Sequence, residues 1–251
     1  MLKELTKADW LSLLNLPEDR VPDVLVLRGT RNLKLHYDRH RALFTEACDV
    51  GSPNGIIDHV MVGTYKGRCV GYASVYGDAM ASEVTHIFGI LGTSLVIQTG
   101  CCGALADGML LGDLAAVTSA HCGEGAAQYY VPGQESVDAS PGLVDRILRG
   151  RHLPVRVHAG SIWTTSALLA EGRTELARWH SLGYAGVDME TATTFAVAEY
   201  FEMQRCALLF VFDNPREGGH ILLTDEEQRE RRRLGGQAMV DAVFAYLEES
   251  R

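Results

Sequence analysis

The sequence has no C-x-x-C pair, no long apolar run and little positive charge, and each absence removes a class of function. Its six cysteines (Cys48, Cys69, Cys101, Cys102, Cys122 and Cys206) are scattered. Neither a zinc site nor a disulfide framework is therefore expected. Free buried thiols are the simplest reading, the neighbours Cys101 and Cys102 included. No stretch approaches the roughly 20 apolar residues that cross a bilayer. Residues 1–10 lack the apolar core of a signal peptide, so a cytoplasmic protein with no membrane partner is expected. Lys and Arg number 23 against 32 Asp and Glu, a formal net charge of -9. The one basic cluster is Arg229, Arg231, Arg232 and Arg233. A nucleic-acid backbone needs a concentrated basic surface, so nucleic acid is excluded as a partner; a small ligand recognised locally is not.

Repeats, low-complexity tracts and Pro/Ser-rich linkers are also missing. What is there is an ordinary globular composition, 47% hydrophobic and 22% charged over 251 residues. One domain over 1–251, with its core at about 22–250, is expected, because a single α/β core extends to roughly 250 residues. Short apolar runs alternate with helical patterns, which reads as α/β. Strands are expected at 24–28 (VLVLR), 69–76, 94–99 (SLVIQT), 114–118, 155–160 and 206–212 (CALLFVF), the first three closed by Gly29, Gly77 and Gly100. Helices are expected at 80–91, 191–201 and 224–249. In the last, Thr224 and Glu227 read as a capping box, and Met239, Ala242, Val243, Tyr246 and Leu247 form a core-facing stripe. The pair Gly235-Gly236 predicts a bend or break in its middle, each glycine costing about 1 kcal/mol against alanine.

In α/β sheets, ligands gather at the carboxyl ends of strands. Two carboxylates stand at such boundaries. Glu190 opens the helix at 191, where the helix dipole favours an acid by about 0.3–1 kcal/mol; it is equally a helix-terminal acid with no other task. Asp213 ends the apolar run 206–212, either presented at a strand tip or capping the turn before Pro215.

The segment 186–192 (GVDMETA) resembles the sugar-binding segment of the family that holds the purine nucleoside phosphorylases, uridine phosphorylases and methylthioadenosine nucleosidases. Residues 96–105 (VIQTGCCGAL) with Gly112-Asp113 resemble its central strand, glycine turn and downstream G-D pair. Residues 63–68 (GTYKGR) resemble a β-turn, and 209–214 (LFVFDN) the strand that delivers a catalytic aspartate. The resemblance implies an α/β domain whose central mixed, partly barrel-like sheet is flanked by helices. It implies cleavage of the N-glycosidic bond of a nucleoside, with a purine favoured because Asp213 would serve the N7 side of the base. Glu190 would hold the ribose hydroxyls and Met189 pack on the sugar face. Val187 and Trp163 would border the base, and Arg232 would support Asp213. No cofactor is implied beyond inorganic phosphate as co-substrate. A homo-oligomer, dimer to hexamer, is implied, with His36, Arg39 and His121 as candidates for residues lent across an interface.

The nucleophile side departs from the family. Gln98 stands where a phosphate-holding arginine is expected, Cys101 stands where a hydroxyl residue is expected, and the first turn reads RGTR at 28–31. Glutamine cannot imitate the bidentate fork of arginine. Phosphate would then have to be held by Arg28, Arg31, Gly29 and the main chain around Gly100. Phosphorolysis to free base and ribose 1-phosphate leads. Hydrolysis, or cleavage of a nucleotide, is the alternative, with Glu83 or Asp78 as the base that activates water. A nucleoside-binding protein without catalysis is the second alternative, and a redox role for Cys101 and Cys102 a distant third.

Overall fold

The computed structural model describes residues 1–51, 55, 57–217 and 225–250. Ten strands form one mixed sheet: β1 Val24–Gly29, β2 Thr45–Asp49, β3 Val60–Tyr65, β4 Arg68–Val75, β5 Leu95–Ala104, β6 Leu114–Gly123, β7 Ser136–Asp138, β8 Val157–Thr165, β9 Gly186–Asp188 and β10 Gln204–Asp213. The helices are α1 Lys7–Leu13, α2 Leu33–Arg41, α3 Gly77–Leu91, α4 Leu143–Leu148, α5 Arg173–Ser181, α6 Thr191–Tyr200 and α7 Glu226–Glu249.

The sheet is half ribbon and half barrel. Its order is β10-β6-β8-β9-β5-β1-β4-β3-β2, and β10 also pairs with β5. That last pairing closes β5, β10, β6, β8 and β9 into a ring, so these strands have no free edge. The parallel trio β4-β1-β5 is buried along β1 and through most of β4 and β5, which is why those strands read as continuous apolar runs rather than alternating ones. Alternate residues of β1 serve different cores. Val24 and Val26 pack with Met239 and Val243 of α7, whereas Leu25 and Leu27 pack with Val84 and Phe88 of α3.

All six expected strands exist, but three run about five residues past their expected ends: β5 to Ala104, β6 to Gly123 and β8 to Thr165. Gly100 does not close β5, which runs on through Cys101, Cys102 and Gly103 to Ala104. Gly100 continues at φ 159°, an extended conformation, because β1 passes so close that a Cβ there would lie 3.1 Å from the Gly29 carbonyl oxygen. Gly77, expected to end a strand, opens α3 at φ 79°. The β-turn at 63–68 is a two-residue hairpin loop between β3 and β4, with Lys66 and Gly67 at φ 48° and 87°, the left-handed pair that matches strand twist.

The bend expected at Gly235-Gly236 is absent, since α7 is unbroken over 24 residues. These glycines answer a packing need. A Cβ on Gly235 would meet the Gly112 carbonyl oxygen at 2.2 Å, and one on Gly112 would meet the Arg231 carbonyl oxygen at 2.3 Å. Helix and loop touch backbone to backbone there. The capping box is also corrected. Thr224 lies outside the described residues, and Asp225 caps α7, accepting a hydrogen bond from Gln228 N at 2.8 Å.

Candidate functional site

A cavity of about 480 Å³ opens where β1, β5, β9 and β10 end. Its wall is drawn from distant parts of the chain: Gly29 to Asn32 after β1, His36 on α2, Tyr76 before α3, and Cys101 to Gly103 on β5. Leu168 and Glu171 follow β8, Val187 to Glu190 run from β9 to the head of α6, and Phe212, Asp213 and Pro215 lie at and just past the end of β10.

Glu190 does not cap its own helix, although it occupies the N-cap position of α6. That task falls to Asp188, whose carboxylate accepts from Thr191 N at 2.9 Å, from the Thr191 hydroxyl at 2.5 Å and from the Thr164 hydroxyl at 2.7 Å. Glu190 is thereby released to reach α3, where its Oε1 accepts from Gly77 N at 2.8 Å. Its Oε2 lies against Gly29, so close that a Cβ there would sit 2.7 Å away. Burial and the neighbouring Asp188 charge push Glu190 up to about 8, and burial raises Asp188 also.

Asp213 stands at the tip of β10 in the cavity wall, near Gly103, where a Cβ would lie 3.2 Å from Oδ1. Arg232 resolves the basic cluster on α7. Arg229, Arg231 and Arg233 pair with Glu226, Glu227 and Glu230 along the helix surface. Arg232 instead donates from Nε to the Phe212 carbonyl at 2.6 Å and lies 4.2 Å over the Phe212 ring, close enough to Asp213 to feel its charge.

Trp163 is placed elsewhere than expected. Its ring stacks on His121 at 3.9 Å and on Trp179 at 5.1 Å, in a cluster with Leu105, Leu176 and Val187, and it is absent from the cavity wall. The periodicity of β8 explains this, since Ile162 and Thr164 are its most buried neighbours and Trp163 points the other way. Leu168, five residues on, lines the cavity instead.

On the nucleophile side, Gly29, Arg31 and Cys101 line the cavity, while Arg28, Gln98 and Gly100 do not. Gln98 is sealed in the core at 0% exposure, accepting from the Thr194 hydroxyl at 2.9 Å and donating to the Thr99 carbonyl at 3.0 Å. Arg28 lies at 5% exposure on the α7 face of β1, with Nη1 3.5 Å from the Met239 sulfur and its guanidinium 5.4 Å from the Phe210 ring centre. Its Nε has no hydrogen-bond partner. Arg31 rests on the Tyr76 ring at 4.7 Å. Burial pushes the Cys101 thiol up to about 12, which removes it as a thiolate nucleophile. His36 is held down at about 4 by burial and by Arg28, so it faces the cavity neutral. Of the substitutes for a water-activating acid, neither Asp78 nor Glu83 lines the cavity.

Glu171 is the residue that sequence reading missed. It lines the cavity, its Oε1 is buried without a hydrogen-bond partner, and burial together with Asp213 raises it to about 7. The segment ALLAEG carries no periodicity that would single out this acid. Its significance comes from folding back towards Asp213. Among the described residues, no group of three His, Cys, Asp or Glu could hold a metal ion, and no helix is long and apolar enough to cross a membrane.

Carboxylates at strand ends around one cavity, on a mixed sheet closed by β10, define an α/β protein of the nucleoside phosphorylase type. Residues 46–248 match the family model of the Phosphorylase superfamily. The chain belongs to that superfamily, and with it to the nucleoside phosphorylase and nucleosidase enzymes. It is 25% identical over 183 residues to a DeoD-type purine nucleoside phosphorylase of Alkaliphilus metalliredigens, covering 69% of this chain and 75% of that protein. To a guanosine phosphorylase of Halorubrum lacusprofundi it is 27% identical over 128 residues, covering 49% and 52%. In fold it is similar to a crystal structure of uridine phosphorylase from Vibrio fischeri ES114, with a TM-score of 0.76 at 20% identity over 92% of this chain and 94% of that one.

Proposed function

We propose that the chain cleaves the N-glycosidic bond of a purine nucleoside by phosphorolysis, releasing free base and ribose 1-phosphate. The observation that carries this reading is that Glu190 and Asp213 line one cavity, with Val187 and Met189 beside them. Cleavage builds positive charge on the ribose and negative charge on the departing base. Glu190 meets the first demand by accepting from the 2′- and 3′-hydroxyls, charge-assisted bonds that also fix the ring, with Met189 against the sugar face. Asp213 meets the second by sharing a proton with the N7 side of the base, help worth about 10²–10⁴-fold. Arg232 steadies the end of β10 beside it. Leu168, Val187 and Phe212 supply apolar walls for the base, and Glu171 offers a carboxyl to its polar edge. Phosphate sits beside Gly29, Arg31 and Cys101, with the buried charge of Arg28 behind. A second copy of the chain completes the assembly as a homo-oligomer.

A hydrolytic reading draws on one observation. Gln98 is turned into the core, and among the described residues Arg31 is the one arginine in the cavity wall, so water could take the place of phosphate. One assay separates the two: incubation with a panel of purine and pyrimidine nucleosides, with and without phosphate, following free base and sugar product. Phosphorolysis requires base release that depends on phosphate and yields ribose 1-phosphate. Equal release without phosphate, yielding free ribose, overturns it in favour of hydrolysis. Asp213→Asn lowers kcat/KM by about 10² or more while the nucleoside still binds. If no nucleoside is turned over by the wild type and the variant binds unchanged, the protein is a nucleoside binder.

A further inference from the structure

Helix α3 is 15 residues long and has no side-chain cap of its own, since Tyr76 at its N-cap makes no such bond. The backbone N–H of Gly77, in its first turn, is satisfied by Glu190 Oε1 from the far end of β9. Two glycines, with a backbone hydrogen bond from Met189 beside them, thus hold one carboxylate. Gly77 donates to Oε1, and Gly29, lacking a Cβ, leaves room for Oε2 in the cavity wall. Gly77 reaches this position only at φ 79°, a conformation that costs an ordinary L-residue strain but that Asn tolerates. Nothing lies within 4 Å of where its Cβ would be, so its requirement is one of backbone angle and not of space.

We propose that Gly77 is a positioning residue for the sugar: its N–H, at the head of α3, fixes Oε1 of Glu190 and so aims Oε2 at the ribose diol. The assignment rests on the reading of Glu190 as the ribose-binding carboxylate. A free glutamate side chain has three rotors. One held at Oε1 presents its other oxygen with that freedom already removed, which is how preorganisation tightens binding. The α3 terminus also favours the ionised carboxylate. Opposing it are first burial, then Asp188 on β9 and Asp78 on α3, while Arg28 on β1 favours the charged form and Cys101 on β5 lies close by.

The test uses the whole protein and a turned-over nucleoside, and compares Gly77→Ala, Gly77→Asn and Glu190→Gln. Gly77→Ala, which keeps the N–H but strains at φ 79°, should draw the donor off Oε1 as the backbone relaxes and raise the nucleoside KM by roughly tenfold or more, the effect of losing a hydrogen bond to a charged group. It should also move the acid limb of the kcat/KM profile to higher pH, because Glu190 loses a donor. Gly77→Asn, which keeps both N–H and backbone angle, should stay within about twofold of wild type. Thermal melts of all three report folding separately. If Glu190→Gln raises KM but folded Gly77→Ala leaves KM and the acid limb unmoved, the positioning role is wrong. A loss in Gly77→Asn equal to that in Gly77→Ala overturns it as well. If Glu190→Gln itself leaves KM unchanged, the sugar reading fails first.

Discussion

At the scale of the residue, Glu190 combines burial, a like charge at Asp188 and, in the proposed reaction, a task that needs its anion. Its carboxyl stands at about 8 in the folded protein against an ordinary 4.5. Between those values the folded chain keeps a proton that the unfolded chain has lost, so this group's contribution to stability falls as pH rises through that window and levels off above it. Glu190→Gln lacks the effect. Its melting temperature relative to wild type should therefore climb from pH 4.5 to pH 8, as calorimetry at stepped pH would read; a difference that stays flat contradicts the raised carboxyl. From local pattern alone this residue was legible as an acid with two readings, and only the resemblance of GVDMETA pointed to the ribose. The structure sets aside the capping reading, because Asp188 bonds the start of α6 while Glu190 turns towards α3. Glu171 was illegible, because its neighbours in space, not in sequence, give it meaning.

At the scale of the element, α7 and the loop at Gly112 share a backbone contact that propensity cannot foresee. Helix propensity predicts that alanine improves both Gly235 and Gly236, by about 1 kcal/mol each. Packing separates them. A Cβ at Gly235 would lie 2.2 Å from the Gly112 carbonyl oxygen, whereas one at Gly236 would come no nearer than 3.7 Å to the Phe210 ring. Gly235→Ala should destabilise by about 1–3 kcal/mol through overpacking, and Gly236→Ala should stabilise by about 0.5–1 kcal/mol. Urea melts of the two variants check the opposite signs, and equal shifts would sink the account. The same reasoning explains which elements the sequence showed. Strands buried on both faces read clearly as apolar runs, β1 and β10 above all. The exposed β2, the three-residue β7 and β9, and the polar surface helix α2 carry too little apolar pattern to be seen. Barrel closure through β10 and β5 is a pairing between distant segments, visible in no local pattern.

At the scale of the whole molecule, the cavity draws its wall from β1, β5, β9, β10, α2 and the loop after β8, so a nucleoside bound there as proposed would touch segments spread across most of the chain. Ligand that binds only the folded state adds about 2.7 kcal/mol at a hundredfold excess over Kd. The expected result in a thermal scan is one transition shifted upward as a unit. A ligand-dependent splitting into two transitions would show that the β1–β4 ribbon and the ring of β5, β10, β6, β8 and β9 unfold independently. Strand β8 of that ring also stacks its Trp163 on Trp179 of α5, the rings 5.1 Å apart at 21°. Two indoles so close and so nearly parallel couple their electronic transitions. The folded chain therefore has an optical signature of its own in the near ultraviolet. Since neither ring lines the cavity but both pack in one cluster with Val187, which does, that signal reports the packing of α5 on β8.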